Sequence, residues 1–425
     1  MDASVKSVNT VRIASYILGF LLMFFNFNVI LNLFIAMVVV VFALLLPLSY
    51  VLFLYLFLFQ WELSLSLPVI GTLNTLVAIV LFIRILLNYG FRHISIGLNK
   101  LNIVLLSILS MYSLVDLLVH KSIAGLGVLL DFIILIYVYR VKRENHDLFW
   151  TIVFRLYITS IIFACIYGII HNNFNMRWIS GLGRVPQFYG TVGTSRMALL
   201  INIAILLTLI VPSFTRTKKV LVLLFLYTML IMTISLAGLV TNILIAFYYM
   251  FIIYPKIGEK HYNRRSALRS LQSVAIMILL ICLLYVIIDE IPFMSPIIAR
   301  VTNVINWLSR GDVDRAVTGR ASILDSYLYA FKKLPIVNKL FGLGCFSSYS
   351  ALGFEDYSHN SFIDLLFLGG FFLLTLFILL LVYTVHREWH TKYFDVIFLM
   401  KIILLINGLN VSMLTAGFWY FWVFI

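Results

Sequence analysis

HNSFIDLLFLGGFFLLTLFILLLVYT, residues 359–384, sets a histidine at the head of a long apolar run. Behind His359 and Asn360, the run from Ser361 to Thr384 carries one acid, Asp364, and no Lys or Arg. At about 24 residues it is long enough to cross a bilayer as a helix. The segment ahead of it, FGLGCFSSYSALGFEDYS (341–358), is glycine-rich and polar. His359 therefore stands where the chain leaves water for an apolar run.

The rest of the chain repeats the pattern of that run. Of the 425 residues, 63% are hydrophobic and 11% charged, and the mean hydropathy is +1.07. This composition argues against a soluble globular protein. It predicts an all-α polytopic integral membrane protein of about 12–14 transmembrane helices, forming a single transmembrane domain over residues 1–425. No cleavable signal segment is expected before the first span, near Val11. The net charge of +14 sits in short clusters between spans, so the positive-inside rule accounts for it and no nucleic-acid partner is expected. Those clusters are Arg140/Lys142/Arg143, Arg216/Lys218/Lys219, Lys256 to Arg269, and His386/Arg387/Lys392. All fall inside if the amino terminus is inside, with Arg84, Arg155 and Lys401 snorkelling to an interface.

The same alternation puts two polar segments outside. Residues 171–196 form a first external arginine loop with Arg177 and Arg184. Residues 289–359 form a large external loop with Arg300, Arg310, Arg315 and Arg320. Within it ASILDSYLYAFKKL (321–334) has helical apolar spacing and predicts an amphipathic helix along the membrane surface. Cys165, Cys282 and Cys345 are scattered, and their spacing suggests neither a disulfide nor a metal centre.

Arginines on the outer face run against the charge bias and ask for another purpose. Their planar forks bind phosphate through paired hydrogen bonds and stay charged, and a histidine exchanges protons near neutral pH. Together beside a membrane they suit chemistry on a phosphate-bearing lipid. The plainer alternatives are ion pairs with Asp312, Asp314, Asp325 or Glu355, and a helix start at His359–Asn360 with Ser358 or Asn360 as cap.

From Arg315 to Gly370 the chain resembles the carboxy-terminal signature of the O-antigen polymerase and O-antigen ligase superfamily. The matching pieces are Thr318-Gly319-Arg320, an amphipathic helix, Pro335, Phe341-Gly342-Leu343-Gly344, and His359-Asn360 followed by an apolar run to Gly369-Gly370. Arg184 followed by Gly190 resembles the family's other arginine loop. The family's Ser-Arg pair has no match in SLAGLVTN (235–242), while Ser195-Arg196 occurs earlier. The resemblance implies a metal-independent glycosyltransferase in the bacterial cytoplasmic (inner) membrane, its active site facing outside. Its donor would be an undecaprenyl-pyrophosphate-linked oligosaccharide, and no cofactor is implied. The partners implied are that donor, membrane lipid and a chain-length regulator. His359, Arg320 and Arg184 become the catalytic candidates: the histidine as base to the acceptor hydroxyl, the arginines as fixed charge for the leaving pyrophosphate. Arg177, Arg315, Arg310, Asn360 and Asp364 become candidates for substrate binding. The leading function is a polysaccharide polymerase of O-antigen or capsule type. An O-antigen ligase acting on lipopolysaccharide core is the near alternative, and a lipid-linked oligosaccharide flippase or transporter the distant one.

Overall fold

A computed structural model describes residues 2–25, 27–58, 61, 66–67, 71–94, 100–121, 123–144, 146–171, 194–210, 214–233, 235–253, 295–316, 319–346, 348–354, 358–391 and 393–409. The described chain is all-α apart from one two-residue hairpin, Ser66–Leu67 with Gly71–Thr72. The first part comprises α1 (Asp2–Leu22), α2 (Val29–Leu45), α3 (Leu48–Leu58), α4 (Leu73–Ile94), α5 (Lys100–Val119), α6 (Ile123–Glu144), α7 (His146–His171), α8 (Thr194–Ile210), α9 (Arg216–Met232) and α10 (Leu236–Tyr248). The last runs into a π-helical turn, Tyr249–Ile253. The second part comprises α11 (Ser295–Ser309), α12 (Val313–Ala316), α13 (Arg320–Lys333), α14 (Ile336–Phe341), α15 (Ser348–Leu352), α16 (Ser361–Glu388) and α17 (Phe394–Gly408).

Local chemistry sets many of the ends. Asn28, Thr215 and Ser235 cap α2, α9 and α10 by accepting backbone N–H groups of the first turn. Two described helices, α7 and α16, have both the length and the hydropathy to cross a membrane. Shorter apolar helices include Val29–Leu45, Leu73–Asn88 and Ser195–Ile210. Helix α2 is apolar on both faces. Ile35, Ala36, Val39 and Ala43 are buried, whereas Ile30 is 76% and Leu45 79% exposed, with Leu33, Phe34, Met37 and Phe42 exposed between them.

Helix α16 joins two cores. Leu365, Leu368, Leu373 and Phe377 enter the main core, while Ile363 and Phe367 pack with Tyr327 and Phe331 of α13 in a smaller one. The predicted amphipathic helix is thus present as α13, and its apolar face lies on the first half of α16.

Two expectations need correction. The run behind His359 is not one rigid span: Gly369 and Gly370 have non-helical backbone angles and break α16 in two. The turn Gly342-Leu343-Gly344 docks at the break, where Leu343 N–H donates to the Phe367 carbonyl at 2.7 Å and Gly344 N–H to Leu368 at 3.0 Å. Second, Lys401 does not snorkel. It is buried, with Nζ 2.7 Å from the Thr384 hydroxyl. Arg84 closes the end of α2 through the Ala43 and Leu46 carbonyls. Those carbonyls sit where a helix runs out of its own donors.

Candidate functional site

The His359 segment is built from a short polar network. Asn360 Oδ1 accepts the Phe362 N–H at 2.9 Å and the Ile363 N–H at 3.2 Å, capping α16. Its Nδ2 donates to the Leu409 carbonyl at 3.3 Å and ties the cap to the end of α17. The Ser358 hydroxyl lies 2.8 Å from Asp364 Oδ1 and accepts the Asn360 N–H at 3.1 Å. Ser348 donates to the same carboxylate oxygen from α15. Asp364 is buried in the first turn of α16, where a carboxylate is favoured by the helix dipole.

His359 itself is half-buried and has φ of 52°, in the left-handed region that non-glycine residues seldom adopt. Its neighbours on both sides are fixed by hydrogen bonds, so the unusual backbone is held from two directions. Asp364 thus acts on the histidine's segment through Ser358; its buried carboxylate is spoken for by two serines. Ser358 is legible in the sequence only as a candidate cap and Ser348 not at all, because each reaches Asp364 through a fold that the sequence does not show.

The arginines fall into three groups. Arg320 opens α13, half-buried, behind Gly319 at φ 76°. Gly319 has no side chain to cap the helix, and Asp314 substitutes, accepting the Ser322 N–H at 2.9 Å and hydroxyl at 3.1 Å. The packing of Tyr327 and Phe331 on Phe367, with ring centroids 6.0 and 5.6 Å apart, joins Arg320's helix to the half-helix that starts at His359. Arg315 pairs with Asp312 at 3.3 Å and is 75% exposed, the plainer of the two readings for an arginine in this loop. Arg310 is exposed on the turn after α11. Arg177 and Arg184, with most of the segment expected to form the first external loop, lie outside the described residues.

A second polar site at the far end of α16 has no counterpart in the sequence reading. Glu388 is buried, 2.7 Å from Lys142 Nζ of α6 and 3.2 Å from His146 Nε2 of α7. Lys142 also lies over the Trp150 ring, 4.8 Å from its centre. The described residues define an all-helical bundle whose discontinuous helix presents a histidine at one end and a buried ion pair at the other. Comparison of the chain with protein-family models, with curated proteins and with solved structures finds no match.

Proposed function

We propose that the chain is a polytopic membrane glycosyltransferase, a polysaccharide polymerase that uses an undecaprenyl-pyrophosphate-linked repeat unit. The membrane part rests on the apolar faces that α2 and its neighbours turn outward, which in water would drive aggregation and in lipid are at rest. The catalytic part rests on one observation. His359 is held in a sparsely populated backbone conformation at the mouth of a broken helix, with Arg320 opening the helix packed against it. A strained residue kept by several hydrogen bonds is a reason to look for function there. His359 would take the acceptor's proton while Arg320, with Arg184, meets the charge growing on the pyrophosphate.

A transporter or flippase is the second reading, favoured by the Lys142–Glu388–His146 cluster together with a discontinuous helix. An enzyme should depend on His359 and Arg320, a transporter on Glu388 and Lys142. The deciding experiment incubates purified protein with lipid-linked repeat unit alone. A ladder of products supports the polymerase. Product formed only when core lipid is added identifies a ligase, and no product under either condition removes the enzyme reading.

A further inference from the structure

We infer that Asp116, His120 and Cys345 form a zinc site that pins the glycine turn before α15 to the end of α5. Tyr112, Asp116 and His120 are spaced four residues apart, the first two on one stripe of α5 and His120 directly after its end, where its N–H still bonds the Asp116 carbonyl at 3.2 Å. That stripe faces the segment 341–346. Tyr112 donates its hydroxyl to the Phe341 carbonyl at 3.0 Å, and Asp116 Oδ1 accepts the Phe346 N–H at 3.2 Å. Gly344, at φ 74°, lets the turn press against α5, where a Cβ would come within 3.0 Å of Val115 Cγ1. The next residue, Cys345, is thereby carried to the carboxylate and the imidazole.

One donor atom from each of Asp116, His120 and Cys345 lies within 4.8 Å of the others. A nucleophile relay would hold thiol and carboxylate on opposite sides of the imidazole, farther apart than this; three donors drawn to one point suit a cation. A second observation points the same way. Asp116 is fully buried, and its Oδ2 has no hydrogen-bond partner among the described residues. Leaving a buried carboxylate oxygen unpaired is costly, and a cation would satisfy it. Gly125 of α6 gives that oxygen room, since a Cβ there would lie 3.1 Å from it. His120 Nδ1 is 3.5 Å from Asp116 Oδ1, and its side chain is 34% exposed, so ions can enter from solvent.

The donor set of carboxylate, imidazole and thiolate is one that Zn²⁺ takes, with three protein ligands leaving a fourth position for water. Binding requires the thiol to give up its proton to solvent as the sulfur–zinc bond forms. The site does not rest on the glycosyltransferase reading, and its test does not use activity.

The test uses the full chain, purified in detergent through an affinity tag free of histidine, stripped with chelator and titrated with Co²⁺ as a visible stand-in for Zn²⁺. One equivalent should give a thiolate-to-cobalt charge-transfer band that Zn²⁺ bleaches. Cys345→Ser should lose the band, and Asp116→Asn and His120→Gln should weaken binding by at least the roughly 10–100-fold seen when a mere outer-shell partner is removed. A measurement on the unmutated protein guards against misfolded variants: alkylation of Cys345, followed by peptide mass spectrometry. With Zn²⁺ held about tenfold above its dissociation constant, alkylation should slow about tenfold, because only the metal-free fraction reacts. No charge-transfer band in the unmutated protein, an unchanged band in Cys345→Ser, or an alkylation rate indifferent to zinc would each overturn the site.

Discussion

At the scale of single residues the informative position is His359, because its backbone and its chemistry can be separated. At φ 52° a side chain with a Cβ is strained by about 1–2 kcal/mol, and asparagine is among the few that tolerate the region. His359→Ala removes both the base and its hydrogen bonding, so a loss of activity in it has two readings. His359→Asn suits the backbone and retains hydrogen bonding but cannot take a proton at neutral pH. We expect polymer formation by the Asn variant to fall by about 10²–10⁴, with no loss of detergent melting temperature. Near-normal rates in that variant would make His359 a positioning residue or a helix-start residue. Asp364→Asn probes the support under it. The Ser348 and Ser358 hydroxyls lose their charged acceptor, which should cost about 1–3 kcal/mol of stability. It should also lower the polymer yield while leaving the pH profile of the remaining activity in place.

At the scale of elements the break in α16 organises the half of the molecule that carries His359. Gly342 sits so close to it that a Cβ would lie 2.4 Å from the Gly369 nitrogen and 2.5 Å from the Leu368 carbonyl. Gly353 provides an internal comparison, with a similar φ of 70° and nothing within 4 Å of the added carbon. Gly353→Ala should therefore show only the left-handed backbone cost of about 1–2 kcal/mol. Gly342→Ala should show that cost and, in addition, undock the turn. Limited proteolysis should cut residues 341–358 much faster in Gly342→Ala than in Gly353→Ala, and equal rates would mean that the turn does not depend on the close approach. The same element shows where sequence reading stops. Asn360 as cap, the apolar run after it and the helical spacing of Tyr327 and Phe331 are local signals, and all three are found in place. The break was not legible, because a Gly pair inside an apolar run is compatible with an uninterrupted helix. It takes the backbone of Gly342-Leu343-Gly344, arriving from a different part of the chain, to offer the donors that a broken helix needs. Asp116 beside Cys345 escaped for the same reason. The four-residue spacing of Tyr112, Asp116 and His120 is visible, but the thiol that joins them comes from the turn.

At the scale of the whole molecule two predictions concern how the bundle is held and which way it faces. Glu388 links α16 to α6 and α7 through Lys142 and His146, and Lys142 is only 1% exposed. Glu388→Gln leaves that ammonium buried without its partner, which should cost about 3–5 kcal/mol. Replacing both members by apolar residues of similar size, Lys142→Met with Glu388→Leu, should restore most of the thermal stability in detergent. If the single variant melts like the unmutated protein, the pair is not a structural staple, and its role shifts toward transport. The orientation is tested by accessibility. Ser309, exposed at the end of α11, should face outside, and His390, exposed beyond α16, should face the cytoplasm. Basic clusters are retained on the cytoplasmic side, and Arg387 and Lys392 flank His390. A membrane-impermeant maleimide applied to intact cells should label Ser309→Cys above the background of the parent chain's own cysteines. His390→Cys should react only after the membrane is permeabilised. The reverse pattern would turn the proposed site inward and take its external donor away. Recovery of the untreated chain in the soluble fraction would remove the membrane reading itself, since the outward apolar faces of α2 would then need another cover.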